Sequence, residues 1–230
     1  TDVPPNFMTT VGMPAGLLIG DWPSVAAGTL PPRMEVSIHE LPLERWPEAA
    51  RLAGRAFWTE DYMAPLTDDL LERFAVVQDL YLRMETSDTS ITLAAFAGDH
   101  VVGFACVETG GCYFCSLDPE APPTAGDRTA EVMHGVDLTI RALHTGLPQH
   151  ANIGPVAVEP TLQGKGIGAA LVDAAYELAA TDRPPTVSLD CDPSLQRFYE
   201  ARGFVAVARA TDPWGFDIVG LRRDPASPVP

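Results

Sequence analysis

The chain has 230 residues, of which 46% are hydrophobic and 20% charged, a length and balance typical of one globular domain. Its formal net charge of −16 argues against general nucleic-acid binding, because the phosphates would be repelled. No apolar stretch reaches the roughly 20 residues that span a bilayer, and no basic segment precedes the short apolar run 15–19, so we expect no membrane partner and a cytoplasmic location.

The two ends of the chain differ in composition from its middle. Residues 1–33 are rich in proline and glycine and show little periodicity, which is typical of an extended arm. The last segment, 224–230, contains three prolines and has the same character. We therefore predict an N-terminal extension over 1–33, a folded domain over 34–223 and a C-terminal tail.

Hydrophobic periodicity predicts strands and helices that alternate through the domain. In chain order they are a strand (35–39), helices (43–58 and 68–84), strands (91–97 and 101–108), a helix (127–145), a strand (153–158), a helix (166–180), a strand (187–190), a short helix (193–202) and strands (204–209 and 216–221). Gly98-Asp99 predicts a tight hairpin between two strands. Residues 110–126 are turn-rich and receive no assignment. This order predicts a mixed α/β sheet.

Cys112 and Cys115 are separated by two residues, a spacing used by zinc knuckles and redox pairs. A zinc site of that kind needs a second pair or histidines at short spacing, and none follows. We therefore expect ordinary core or loop thiols here and no metal, and we interpret His144 as an ordinary surface or core residue.

Three alternating glycines, Gly164, Gly166 and Gly168, lie between an apolar strand and an amphipathic helix. Glycines at a helix start let a ligand approach the backbone, where free N–H groups and the helix dipole favour a pyrophosphate. Gly164-x-Gly166-x-x-Ala169 also fits a dinucleotide fingerprint, with Asp190 about 20 residues later as the ribose-binding acid. Against that alternative, 159–163 separate strand from glycines, and about 40 residues after Asp190 are too few for a doubly wound sheet.

This glycine-rich segment and the later segment 192–204 resemble motifs of the GNAT superfamily of N-acetyltransferases. Gln163-x-x-Gly166-x-Gly168 is similar to the family's acyl-CoA signature, Gln/Arg-x-x-Gly-x-Gly/Ala. Val156-Ala157-Val158 resembles its fourth strand, and 192–204, with Tyr199 and Gly203-Phe204, resembles its second motif. The two motifs cover 154–204, and the element order extends the resemblance over about 34–223.

The resemblance implies a mixed, mostly antiparallel sheet of six to seven strands, flanked by helices and splayed between the fourth and fifth strands. The cofactor would be acetyl-CoA or another short acyl-CoA, with its pantetheine arm along the fourth strand and its pyrophosphate on backbone amides. The cofactor-binding residues carried over are Val156, Ala157, Val158, Gln163, Gly164, Lys165, Gly166, Ile167, Gly168, Ala169 and Asp192.

The implied activity is transfer of acetyl to a primary amine by direct attack in a ternary complex. Tyr199 is the candidate general acid. Asn152 occupies the position of a glutamate in some relatives; an amide cannot act as a base, so His150 and Glu108 are the candidate bases.

The acceptor would be a small-molecule amine or the amine of a protein or peptide. The candidate substrate residues are Trp58, Glu60, Asp61, Tyr62 and Asn152. Residues 110–146 are a candidate lid or oligomer contact, which leaves a homodimer open. A non-catalytic acyl-CoA sensor and, less favoured, a dinucleotide-dependent oxidoreductase remain as alternatives.

Overall fold

The computed structural model describes residues 35–84, 90–109, 111–181 and 186–224, which form a seven-stranded sheet of order β1-β2-β3-β4-β5-β7-β6. The strands are Ser37–Glu40 (β1), Ser90–Ala97 (β2), His100–Glu108 (β3), Ala151–Val158 (β4), Val187–Cys191 (β5), Val205–Thr211 (β6) and Asp217–Arg223 (β7). The helices are Trp46–Phe57 (α1), Leu70–Arg83 (α2), Tyr113–Ser116 (α3), Arg128–Leu143 (α4), Ile167–Ala179 (α5) and Gln196–Glu200 (α6).

The predicted order of strands and helices is confirmed, and the boundaries agree to within a few residues. Local chemistry explains several of them: Asp69 caps the start of α2, Asp127 caps α4, and Gly98 takes the left-handed conformation that the β2–β3 hairpin needs. The short α3 lies in the turn-rich segment that periodicity could not assign. The predicted extension 1–33 lies outside the described residues, as does the tail beyond Asp224.

The predicted splay of the sheet is confirmed at β4 and β5, which are parallel while the other neighbouring strands are antiparallel. These two strands pair only from Ala151↔Val187 to Ile153↔Leu189, after which β4 continues to Val158 without this partner. On the other edge of β4, the register with β3 shifts between Ala105 and Val107. Strands β4 and β5 therefore part in the middle of the sheet and open a gap.

The core is built on both faces of the sheet. Phe104 is fully buried beneath α1 and α2, whereas its neighbour Ala105 is buried on the side of α5. The helix α5 approaches β3 closely at Gly103, where an added Cβ would lie 2.8 Å from Leu171 Cδ1. This close packing holds the start of α5 beside the gap.

Among the described helices, none combines the length and the hydropathy that crossing a membrane would require.

Candidate active site

A cavity of about 730 Å³ fills the gap between the splayed strands. Its walls come from β4, β5, the start of α5, the α1–α2 connection and the inner face of α4. Residues that line it include Glu60, Tyr62, Met63, Tyr81, Met84, Glu108, Met133, Asp137, Asn152, Val156, Val158, Gly164, Gly166, Gly168, Asp190, Cys191, Asp192 and Tyr199. The cavity thus connects the glycine-rich loop with a chamber between α1, α2 and α4.

The glycine-rich loop leaves the backbone of the α5 start open. Gly164 and Gly166 have φ angles of 74° and 87°, and an added Cβ at either would meet nothing within 4 Å. Gly166 is the N-cap of α5 and offers no side chain to cap it, and the bond from Ala170 N–H to its carbonyl is 3.0 Å long. The N–H groups of the first helical turn precede that bond and have no partner within the helix. Such a helix start can hold a phosphate group.

The cofactor residues predicted from the sequence separate into three groups. Those that line the cavity are Val156, Val158, Gln163, Gly164, Gly166, Gly168, Ala169 and Asp192. Ala157 and Ile167 are instead buried in the hydrophobic core, and Lys165 is exposed outside the lining. Gln163 donates from Nε2 to the Val158 carbonyl at 3.2 Å, which ties the loop to the end of β4.

Tyr199 lies in the cavity wall next to β5. Its ring packs edge-on against Phe198 and Phe204, and it is only 8% exposed. Burial raises the pKa of its phenol above the ordinary value, and the neighbouring Cys191 adds to this effect. The phenol is therefore protonated at neutral pH and available as a hydrogen donor.

The chamber between α1, α2 and α4 is acidic and aromatic. Carboxylates in the cavity lining are those of Glu60, Glu108, Asp137, Asp190 and Asp192, and aromatic rings include those of Tyr62, Tyr81, Tyr113, Phe114 and Phe216. Burial raises the pKa of both the Tyr62 and the Tyr81 phenols. Of the residues predicted for substrate, Glu60, Tyr62 and Asn152 line the cavity. Trp58 and Asp61 do not, and Trp58 packs edge-on against Phe74.

Glu60 has an unusual environment for a carboxyl group. Burial raises its pKa to about 8, and the negative charges of Asp192 and Asp61 contribute to the rise. A carboxyl with such a pKa holds a proton at neutral pH but releases it slightly above. It is a candidate proton acceptor in the cavity.

The raised pKa of Glu60 makes a prediction for stability. The folded state favours the protonated carboxyl of Glu60. The stability that this preference contributes is complete below the pKa of Glu60 in the unfolded chain and is lost as the pH rises through about 8. We expect Glu60→Gln to leave stability nearly unchanged near pH 5 and to increase the free energy of unfolding by about 1–2 kcal/mol near pH 9. Urea unfolding at both pH values measures this free energy. An equal effect of Glu60→Gln at the two pH values would contradict the raised pKa of Glu60.

Glu108 is held at the opposite wall by hydrogen bonds. Its Oε2 accepts from Tyr113 N at 3.0 Å and from Asn152 Nδ2 at 3.3 Å. Burial raises the pKa of Glu108, and these two bonds oppose the rise. Asn152 in turn accepts from Ser188 Oγ at 3.1 Å, so β3, β4 and β5 together fix the carboxylate.

His150, the other candidate base, is not in the cavity lining and is only 3% exposed. Its Nδ1 faces the Pro148 carbonyl at 2.8 Å and its Nε2 faces His144 Nδ1 at 3.0 Å. This geometry leaves His150 no access to an amine in the cavity.

The thiols of Cys112 and Cys115 converge on the rings of His144 and His150. The sequence interpretation of ordinary thiols missed this cluster, because the histidines lie 29 and 35 residues beyond Cys115.

Comparison with known proteins agrees with this geometry. A profile of the Acetyltransferase (GNAT) family matches residues 53–204, which is more than half of the chain. The chain belongs to the GNAT family. The matched range contains β4, the glycine-rich loop, α5 and Tyr199, so the parts that build the cavity are those of a GNAT acetyltransferase.

Solved structures share this GNAT fold at low sequence identity. A polyamine N-acetyltransferase of Drosophila melanogaster is 12% identical with a TM-score of 0.59, over 83% of this chain and all (100%) of the other. A mosquito arylalkylamine N-acetyltransferase-like protein is 15% identical with a TM-score of 0.58, over 82% of this chain and 99% of the other.

The GNAT fold also overturns the dinucleotide alternative. The sheet is largely antiparallel, whereas a doubly wound dinucleotide-binding domain needs a parallel sheet. Asp190, the residue that would bind a ribose, instead accepts a hydrogen bond from His144 Nε2 at 2.9 Å. The glycine spacing therefore matches the dinucleotide fingerprint by coincidence, because the rest of that fold is not present in the described residues.

Proposed function

We propose that the protein is an acyl-CoA-dependent N-acyltransferase that transfers acetyl from acetyl-CoA to a cationic primary amine. The observation that carries the proposal is the cavity, which runs from the open start of α5 to an acidic, aromatic chamber. An anionic cofactor and a cationic acceptor each find complementary charge at opposite ends of one space. Direct attack in a ternary complex needs both ligands together in one continuous space.

The residues present fit the cofactor. Gly164 and Gly166 leave open space where a side chain would stand, as a pyrophosphate on backbone amides requires. Beyond Ile153, β4 has no β5 partner, so its backbone edge is available to the amides of a pantetheine arm. When bound there, acetyl-CoA would supply an activated thioester.

The acceptor end of the cavity suits an amine in its protonated form. The carboxyl groups of Glu108 and Asp137 come from opposite sides of the chamber, on β3 and α4. Arg83 is the basic side chain among the described lining residues. An ammonium group would gain electrostatic attraction here, and the rings of Tyr62 and Tyr81 would pack against its carbon chain.

Glu60 is the residue we assign as the base. An amine must lose its proton before it can attack, and a carboxyl with a pKa of about 8 can take that proton once it is itself ionised, which a bound ammonium group favours. Glu60 and Asp192 both line the cavity, and the negative charge of Asp192 acts on the Glu60 carboxyl. Glu108, held by Tyr113 and Asn152, would orient the ammonium group rather than accept its proton.

Tyr199 is the proposed proton donor to the departing thiolate. We expect Tyr199→Phe to lower turnover about 10–100-fold and to change the affinity for acetyl-CoA less than about threefold, because only the hydroxyl is lost. Steady-state kinetics and calorimetry measure the two effects. Unchanged turnover would remove Tyr199 from the chemistry, whereas an equal loss of affinity would indicate a packing role.

The function itself is tested by release of free thiol from acetyl-CoA in the presence of a panel of mono- and polyamines and arylalkylamines. We expect turnover with at least one cationic amine and none without an acceptor. Amine-independent binding of acetyl-CoA, with no turnover across the whole panel, would instead support a non-catalytic sensor.

A further inference from the structure

Four potential metal ligands from three parts of the chain meet beside the start of the central strand β4. Cys112 precedes α3 and Cys115 lies within it, His144 follows the last residue of α4, and His150 immediately precedes β4. One ligand atom of each lies within 4.8 Å of every other. Cys112 Sγ is 3.0 Å from His144 Nδ1, and Cys115 Sγ is 3.9 Å from His150 Nε2. Cys112, His144 and His150 are buried, and Cys115 is exposed.

The outer contacts of the two imidazoles decide which nitrogens carry hydrogen. His144 Nε2 lies 2.9 Å from Asp190 Oδ2, and His150 Nδ1 lies 2.8 Å from the Pro148 carbonyl. Both partners accept hydrogen bonds, so these two nitrogens donate. In neutral rings the inner nitrogens then carry lone pairs, and they face each other at 3.0 Å. Two lone pairs at this distance repel unless a cation lies between them.

The spacing of the inner atoms suits a tetrahedral ion. Zinc bonds of about 2.3 Å to sulfur and about 2.0–2.1 Å to nitrogen place neighbouring ligand atoms about 3.3–3.8 Å apart. The recorded separations among the four inner atoms include 3.0 Å for each of two contacts and 3.9 and 4.0 Å for two others. Small side-chain rotations would equalise these distances around a central ion.

We propose that Cys112, Cys115, His144 and His150 form a structural zinc site. On binding, each thiol loses its proton to solvent, and two thiolates with two neutral imidazoles balance the charge of Zn²⁺. The ion and its four ligands together therefore carry no net charge. Four protein ligands leave no open position for a substrate, which is the arrangement of structural sites. Asp190 and Pro148 supply the outer hydrogen bonds that orient metal-bound histidines.

The zinc site would fix one wall of the cavity. Tyr113 and Phe114 lie between the two cysteines in sequence and line the cavity, while α3 alone spans only four residues. So short a helix has little stability of its own. The ion would fasten α3 to the end of α4 and the start of β4. The site does not depend on the proposed transferase activity, because its ligands lie outside the cavity lining.

Metal analysis and cobalt substitution test the proposal on the full chain. After expression with added zinc and extensive dialysis, we expect about one zinc per chain. After removal of the metal with a chelator, Co²⁺ should give the intense visible bands of tetrahedral cobalt with a thiolate charge-transfer band, and zinc should displace it. Removal of zinc should also lower the melting temperature, and zinc should restore it.

Matched variants assign the ligands. Cys112→Ser should lower zinc affinity at least about 100-fold, and Asp190→Asn about 10–100-fold through the outer contact. Cys106→Ser, at a buried thiol on β3 outside the cluster, should retain the cobalt spectrum and the zinc content. Circular dichroism checks that each variant is folded.

Two results would overturn the proposal. One is wild-type protein with substoichiometric zinc and an octahedral cobalt spectrum, which would favour a proton shared between His144 and His150. The other is a folded Cys112→Ser variant that binds zinc as tightly as wild type does. Both readouts concern metal alone, so they stand whether or not the amine panel shows turnover.

Discussion

Replacing Gly166 with glutamate is expected to abolish detectable binding of acetyl-CoA. The position caps the start of α5, has a φ of 87°, and faces open space where the pyrophosphate would lie. A glutamate side chain would occupy this space and place a negative charge against the phosphates. The affinity should fall at least about 1000-fold, since steric exclusion and charge repulsion act together.

The neutral variant Gly166→Gln separates these causes. It adds nearly the same volume and the same left-handed strain, which costs about 1–2 kcal/mol, but no charge. We expect it to bind acetyl-CoA weakly and measurably better than Gly166→Glu does. Calorimetric titration of both variants, with thermal unfolding as a check of the fold, gives the comparison. Wild-type affinity in a folded Gly166→Glu variant would contradict the placement of the cofactor.

Replacing Glu60 with glutamine is expected to lower the kcat/KM for the amine about 100–1000-fold, because the amide cannot accept a proton. Turnover by wild type should rise with pH through the pKa of this carboxyl, since the base works only when it is ionised. That pKa is about 8 in the free protein and lower when a cationic amine is bound. The Glu60→Gln variant should lack this part of the pH profile.

The protonation of the amine itself also changes rates with pH, so two acceptors of different basicity are needed. The part of the profile that belongs to the amine should move with its pKa, whereas the part that belongs to Glu60 should keep its place in profiles of kcat/KM. Asp61→Asn is the comparison variant: Asp61 does not line the cavity, and loss of its charge should move the Glu60 part of the profile to lower pH without removing it. A profile of Glu60→Gln identical to that of wild type would exclude Glu60 as the base.

The sequence predicted the fold well because its signals are local. Strands such as β3 are continuous apolar runs, Asp69 and Asp127 mark helix starts, and glycines mark the loop before α5. The glycine loop and Tyr199 belong to short motifs, each within one stretch of chain, and both line the cavity. Short α3 was not, because its four residues show no period.

The rest of the site depends on contacts between distant segments, which periodicity does not reveal. Trp58 and Asp61 have suitable chemistry beside Glu60, yet neither lines the cavity, and Trp58 packs against Phe74 instead. The raised pKa of Glu60 comes first from burial, which only the folded chain creates, and then from Asp192, more than a hundred positions later in the chain. Likewise, a cysteine pair was visible in the sequence, but only the packing of α4 and β4 brings His144 and His150 to it.

The proposed transfer requires that one cavity, between the parted strands and the start of α5, binds acetyl-CoA. Calorimetric titration of the full chain with acetyl-CoA tests it most directly. We predict one binding site per chain with a dissociation constant between about 1 and 100 μM, the range in which enzymes commonly meet their substrates. Absence of binding at millimolar acetyl-CoA by correctly folded protein would contradict the proposed function.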